Sequence, residues 1–208
     1  STISITYLWN NGDTTNINSG LNAGSYWCTV SDSNNCSTTT DTIIITEPAA
    51  ITVSSSTTNV SCNGGNDGTA VLTLNGGSGI LTEDWGGINL MALAAGTYNY
   101  TVTDTNLCVD SGFVTITEPT TLTSSISGTN LLCFNDNTGS INLTVNGGTL
   151  PFTFAWTGPG GPYNTEDLSG LAAGSYVVLV TDTKGCTTTE TITLTEPTSS
   201  LSSIISPN

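Results

Sequence analysis

The chain reads as all-β, a tandem array of small β-sandwiches. Three observations predict this: a long internal repeat, short runs that alternate apolar and polar residues, and turns rich in Gly, Asn and Asp with no helix signal between them. The repeat shows in a phrase that occurs three times, beginning at Leu21, Leu93 and Leu171. Each copy reads Leu-x-Ala-Gly-Ser/Thr-Tyr, then an Asp (Asp32, Asp104, Asp182), a Cys four residues later (Cys36, Cys108, Cys186), and a closing Glu-Pro at Pro48, Pro119 or Pro197. Those prolines are 71 and 78 residues apart, a domain length rather than a solenoid turn. The expected divisions are 1–48 (the C-terminal part of a repeat), 49–119 and 120–197 (two complete repeats) and 198–208 (the start of another), so the 208 residues read as a piece of a longer array.

The strands follow in order within each repeat. In the third, Ile141, Leu143 and Val145 alternate with polar residues, Asn146-Gly147-Gly148 turns the chain, and Phe152, Phe154 and Trp156 alternate again. Tyr176, Val178 and Val180 then form a strand that pairs across an Asp-containing turn with Ile192 and Leu194. The middle repeat has Ala70, Leu72 and Leu74, a turn at 75–77, Leu81, Glu83 and Trp85, then Tyr98, Tyr100, Val102, Val114 and Ile116; the first has Tyr26, Cys28, Val30, Ile43 and Ile45. Gly-x-Tyr at the penultimate strand resembles the tyrosine corner of immunoglobulin domains, and Trp9, Trp85 and Trp156 occupy the place of a core tryptophan. The fold class is therefore tandem immunoglobulin-like (PKD-like) β-sandwiches. Thr189, Thr191, Thr193 and Thr195 read as the solvated face of the last strand. Glu83 sits at an inward parity. If Trp85 lies near Tyr98, Glu83 faces Tyr100, and its carboxylate is expected to be met by the phenol.

Composition excludes much. The chain has no histidine, no arginine and one lysine, Lys184, against sixteen acidic residues, for a formal net charge of −15. Phosphate binding needs a basic footprint, so nucleic acid is not an expected partner. Without imidazole there is no Ser-His-Asp triad and no ordinary zinc site, and no acidic pair recurs in a way that suggests glycosidase chemistry. No catalytic or cofactor-binding residue is expected. No apolar run of about twenty residues suggests membrane insertion.

The run Cys62-Asn63-Gly64-Gly65-Asn66-Asp67-Gly68, the strand turning at Asn-Gly-Gly, the strand ending in Trp, the Leu-Ala-Ala-Gly-Thr-Tyr phrase and the Thr-Glu-Pro linker together resemble SprB-type repeats. These occur in very large surface proteins of gliding Bacteroidetes. The resemblance covers the whole chain and implies an extracellular, cell-surface adhesin exported by the type IX system and engaged in attachment and gliding. It supplies no catalytic residues.

Six cysteines in such a chain suggest disulfides among Cys36, Cys62, Cys108, Cys133 and Cys186, with Cys28 on the core-facing parity as a buried free thiol. Two pairings remain open. Pairing within repeats gives Cys62–Cys108 and Cys133–Cys186; pairing between repeats gives Cys62–Cys186, because the end of one sandwich meets the start of the next. The same junction gathers Asp67, Glu118 and Asp182 as candidate calcium ligands, although Asp182, like Asp32 and Asp104, is expected to cap its own turn. Asp13-Thr14-Thr15 and Asp41-Thr42-Ile43 look like Bacteroidetes O-glycan acceptors at Thr14 and Thr42.

The expected function is a stalk or fibre segment whose partners are neighbouring repeats and other copies in a filament. The alternative is a polysaccharide-binding module that uses the variable loop between Trp and the Leu-x-Ala-Gly phrase, with Tyr163 as its contact residue.

Overall fold

The computed structural model describes residues 4–198, and among them every regular element is a strand. The third repeat shows the architecture most completely. Its strands are β11 (Thr123–Thr129), β12 (Gly139–Asn146), β13 (Thr153–Thr157), β14 (Leu168–Leu171), β15 (Gly174–Thr181) and β16 (Thr187–Leu194). They form two antiparallel sheets, in the orders β11-β12-β14 and β13-β15-β16. Alternation decides what each strand buries. Ile141 and Leu143 point into the core from one sheet, Trp156, Tyr176, Val178, Val180 and Leu194 from the other, and all are buried in a single cluster. On β16 the threonines at 189, 191 and 193 are exposed, as is Thr195 beyond it. The result is an immunoglobulin-like β-sandwich.

The middle repeat follows the same order with β6 (Thr52–Thr58) paired to β7 (Thr69–Asn75) and a sheet of β10 (Val109–Ile116), β9 (Gly96–Thr103) and β8 (Thr82–Asp84). Its core cluster holds Val60, Ala70, Trp85, Leu93, Val114 and Ile116. The first repeat contains β1 (Ile5–Trp9), β2 (Gly24–Tyr26), β3 (Cys28–Asp32), β4 (Ser37–Thr39) and β5 (Ile43–Ile45), in the sheets β1-β3-β4 and β2-β5. Only Cys28 is fully buried among its described residues. The described chain divides into two compact units. One joins the first repeat, through Val53, to Leu74–Thr82 and Val102–Asp110; the other holds Ser54–Thr73, Glu83–Thr101 and the chain from Ser111 onward. This division runs through the middle repeat rather than along the Glu-Pro boundaries.

The corner tyrosines are built alike. Tyr26, Tyr98 and Tyr176 each donate their hydroxyl to the carbonyl four residues earlier, on Asn22, Ala94 and Ala172, at 3.0, 2.9 and 2.9 Å. The phrase Leu-x-Ala-Gly-x-Tyr thus supplies its own acceptor.

The tryptophans differ. Trp9 and Trp156 donate their indole N–H to Thr15 and Thr165 in the loops that follow, at 3.0 and 2.8 Å. The loop after Trp85 is the shortest of the three, and its buried indole nitrogen has no hydrogen-bond partner. The expectation for Glu83 fails for a related reason. Trp9 pairs with Cys28 and Trp156 with Val178, so the tryptophan lies opposite the residue two past the corner tyrosine. Trp85 accordingly meets Tyr100, with ring centroids 5.2 Å apart, and Glu83 is exposed.

Removing the indole N–H should therefore cost different amounts in two repeats. Trp156→Phe is expected to destabilise by about 1 kcal/mol more than Trp85→Phe, the worth of one net hydrogen bond, as read by urea denaturation.

Candidate functional site

The residues with chemistry beyond packing gather where the middle repeat passes into the third. They stand on three short segments: the loop after the first strand of the middle repeat (59–68), the linker (117–121), and the last hairpin of the third repeat (182–186).

The hairpin is organised by Asp182. Its Oδ1 accepts the N–H groups of Lys184 and Cys186 at 2.8 and 2.9 Å, and its Oδ2 accepts that of Thr149 at 2.9 Å. Only 5% of the residue is exposed. In the middle repeat Asp104 does the same with Asn106, Cys108 and Ser78. Burial pushes both carboxyls up, but the converging N–H donors outweigh it and hold them below the ordinary carboxylate value. The expected turn-capping role of Asp32, Asp104 and Asp182 is what the hydrogen bonds describe.

Asn-Gly-Gly, which reads in sequence as a hairpin turn, also receives the linker. Gly147 and Gly148 have φ of 71° and 62°, and a Cβ on Gly147 would lie 2.0 Å from the carbonyl oxygen of Thr121. Gly148 N–H donates to the Thr120 carbonyl at 3.0 Å. Gly76 and Gly77 meet Ala50 and Ala49 in the same way. Only glycine takes the left-handed conformation while admitting a backbone this close.

From the other side, the 59–68 loop grips the linker. Gly64 N–H donates to Glu118 Oε2 at 2.5 Å, Asn63 Nδ2 to the Pro119 carbonyl at 3.1 Å, and Thr121 Oγ1 to Asn63 Oδ1 at 2.7 Å. Asn59 Oδ1 accepts Thr117 N–H at 3.0 Å. Asp67 is held below its ordinary value by the Ser61 hydroxyl and N–H, with Lys184 adding a favourable charge from the hairpin.

Cys62 and Cys186 close the joint. Their sulfurs are 2.06 Å apart and their Cα atoms 5.6 Å, across a sequence separation of 124. Cys28 is a buried thiol, and Cys36, Cys108 and Cys133 are exposed thiols. Cys133 does not pair with Cys186, because the eight residues of β16, roughly 27 Å of strand, run between the hairpin that carries Cys186 and the residues that hold the Cys133 loop.

The candidate calcium ligands do not converge. Asp67, Glu118 and Asp182 spend oxygens on different backbone N–H groups. Among the described residues no group of three His, Cys, Asp or Glu side chains is placed to hold a metal. Thr14 and Thr42 are exposed. Tyr163 turns inward: its hydroxyl donates to the Pro159 carbonyl at 2.8 Å and its ring lies 6.5 Å from that of Tyr176. Asn59, Asn63 and the glycine pair were not expected to act here, although the recurrence of Asn-Gly-Gly was a signal for the last.

Residues 54–82 and 125–161 match the family model of the SprB repeat. Those two stretches are what the chain shares with SprB repeats. The two matched segments contain the first-strand loops and the Asn-Gly-Gly turns of the middle and third repeats, so the SprB signature overlaps much of the joint machinery. No curated protein matches the chain. Among solved structures it is similar to one described as the structural basis for Dscam isoform specificity (10% identity, TM-score 0.33, covering 94% of this chain and 66% of that one). It is also similar to the N-terminal four Ig domains of Dscam1 isoform 6.44 (12%, 0.32, 94% and 65%) and isoform 4.44 (12%, 0.31, 94% and 66%). The chain thus spans just under two thirds of the length of those structures.

Two outcomes are expected of this joint. Replacing Cys62 and Cys186 by serine should destabilise the middle and third repeats by about 2–4 kcal/mol and separate their unfolding, measured by calorimetry with and without reductant. Stability supplied by carboxylates with depressed pKa is complete at neutral pH and is lost as pH falls below about 4 toward the lower folded-state values. The melting temperature should therefore drop in that window, and Asp182→Asn should flatten the dependence while lowering stability at pH 7.

Proposed function

We propose that this chain is a stalk or fibre segment of a large secreted cell-surface adhesin, with a role in surface attachment and gliding and export by the type IX system. SprB repeats are found in cell-surface proteins, and a disulfide fits an extracellular setting. The observation that carries the reading is the joint: the Cys62–Cys186 disulfide and the Thr121–Asn63 hydrogen bond tie one repeat to the next, and the other polar groups there hold the loop, linker and hairpin that present them. Tension along the backbone passes from β10 of the middle repeat to β11 of the third through the Glu118-Pro119 linker, which proline stiffens by fixing φ. The Cys62–Cys186 bond is a second covalent path around that linker. A net charge of −15 keeps parallel filaments apart. The SprB repeat and the immunoglobulin-like fold suit a structural protein, and such a spacer works without a catalytic site.

Antibodies raised against this chain test the reading on the cells that make it. Labelling of intact cells, together with loss of attachment and gliding when the segment is deleted, is expected. Labelling that requires permeabilisation would sink the proposal.

A further inference from the structure

The loops that carry Cys62 and Cys133 are one device built twice. Val60 N–H donates to the Thr117 carbonyl and Leu131 N–H to that of Thr195, both at 3.0 Å. Asn59 and Asn130 accept the N–H groups of Thr117 and Thr195 at 3.0 and 2.9 Å. The linker glutamate reaches back to the N–H two residues beyond each cysteine, Glu118 to Gly64 at 2.5 Å and Glu196 to Asn135 at 2.7 Å. The hairpins are likewise one device built three times. Asp32, Asp104 and Asp182 each donate N–H to the carbonyl of Cys36, Cys108 or Cys186 at 3.0 Å, and each accepts that cysteine's N–H at 2.9, 2.8 or 2.9 Å.

One loop and one hairpin are joined, by Cys62–Cys186. The remaining copies, Cys133 on its loop and Cys36 and Cys108 on their hairpins, carry exposed thiols. Cys133 stands between Leu132 and Phe134, 75% and 41% exposed, a large apolar flank on either side of a reactive group. The occupied copy shows what such a loop receives.

We propose that Cys133 is the open half of a further staple, and that its loop takes the last hairpin of another SprB repeat of this kind, a second copy of the segment 182–186. Cys36 and Cys108 are the complementary halves, each fitted to a Cys62-type loop. One departure bears on strength: Phe134 stands where Asn63 clamps its linker, so apolar contact replaces two hydrogen bonds there. The bond forms by exchange with a small-molecule disulfide such as oxidised glutathione. The Cys133 thiolate attacks it and releases one thiol, and the partner cysteine's thiolate then displaces the second. Two protein thiols are oxidised to one disulfide while one disulfide is reduced to two thiols.

The proposal rests on the joint described above, and the test separates the two. The full chain is extended after Pro197 by a second copy of residues 120–197, folded in a glutathione redox buffer, alkylated and mapped by mass spectrometry without reduction. A crosslink between Cys133 and the added copy of Cys186, with loss of Cys133 alkylation and retention of Cys62–Cys186, is expected. Cys133→Ser should abolish that crosslink and leave Cys62–Cys186 intact. If Cys133 is alkylated as readily as Cys108 while Cys62–Cys186 has formed, the proposal is overturned and the existing joint stands. If neither bond forms in folded protein, both fall.

Discussion

The joint depends on one buried carboxylate, Asp182, which organises the end of the third repeat as Asp104 does that of the middle one. Asp182 divides its two oxygens between two jobs: Oδ1 closes the hairpin that presents Cys186, and Oδ2 fixes Thr149 at the end of the Asn-Gly-Gly turn. That turn holds the linker through Gly148 and Thr120. A protonated or neutral group in this place has fewer lone pairs to offer N–H donors, and at least one buried donor is left unmet. The placing of Cys186 and of the turn on which the linker rests both follow from it.

Much of the fold was legible because its signals are local. The corner tyrosine and its acceptor lie four residues apart in every repeat, and a strand such as β15 declares its buried face by simple alternation. What alternation does not carry is the offset between neighbouring strands. A slip of two residues keeps every side chain on its face while changing every partner, which is how Glu83 came to be set against Tyr100 when Trp85 holds that place. The joint was legible in part. Its aspartates speak through a motif five residues long, whereas the second use of Asn-Gly-Gly depends on a carbonyl from Thr121, 26 residues upstream of Gly147. The choice between two disulfide pairings was settled by contacts 124 residues apart, which no local pattern encodes.

The two kinds of residue in the repeated phrase have separate duties. Leu-x-Ala-Gly-x-Tyr specifies a sandwich and its core, where the energy is apolar burial. Asp, Cys and Glu-Pro specify how sandwiches meet, where the energy is hydrogen bonding to backbone groups that would otherwise be stranded. In arrays of small domains, stability is a sum of unit terms and nearest-neighbour terms, and a covalent neighbour term makes adjacent units share their resistance to unfolding.

The scarcity of basic residues has a consequence outside folding. Lys184 is the chain's only cleavage point for enzymes that cut after lysine or arginine. It lies inside the Asp182 hairpin, and the next bond in the sequence leads toward Cys186, which is tied to Cys62. A cut there leaves two fragments that remain covalently one molecule until the disulfide is reduced. To trypsin-like proteases the segment is a cable with a single exposed seam, stitched shut two residues past the point where it can be opened.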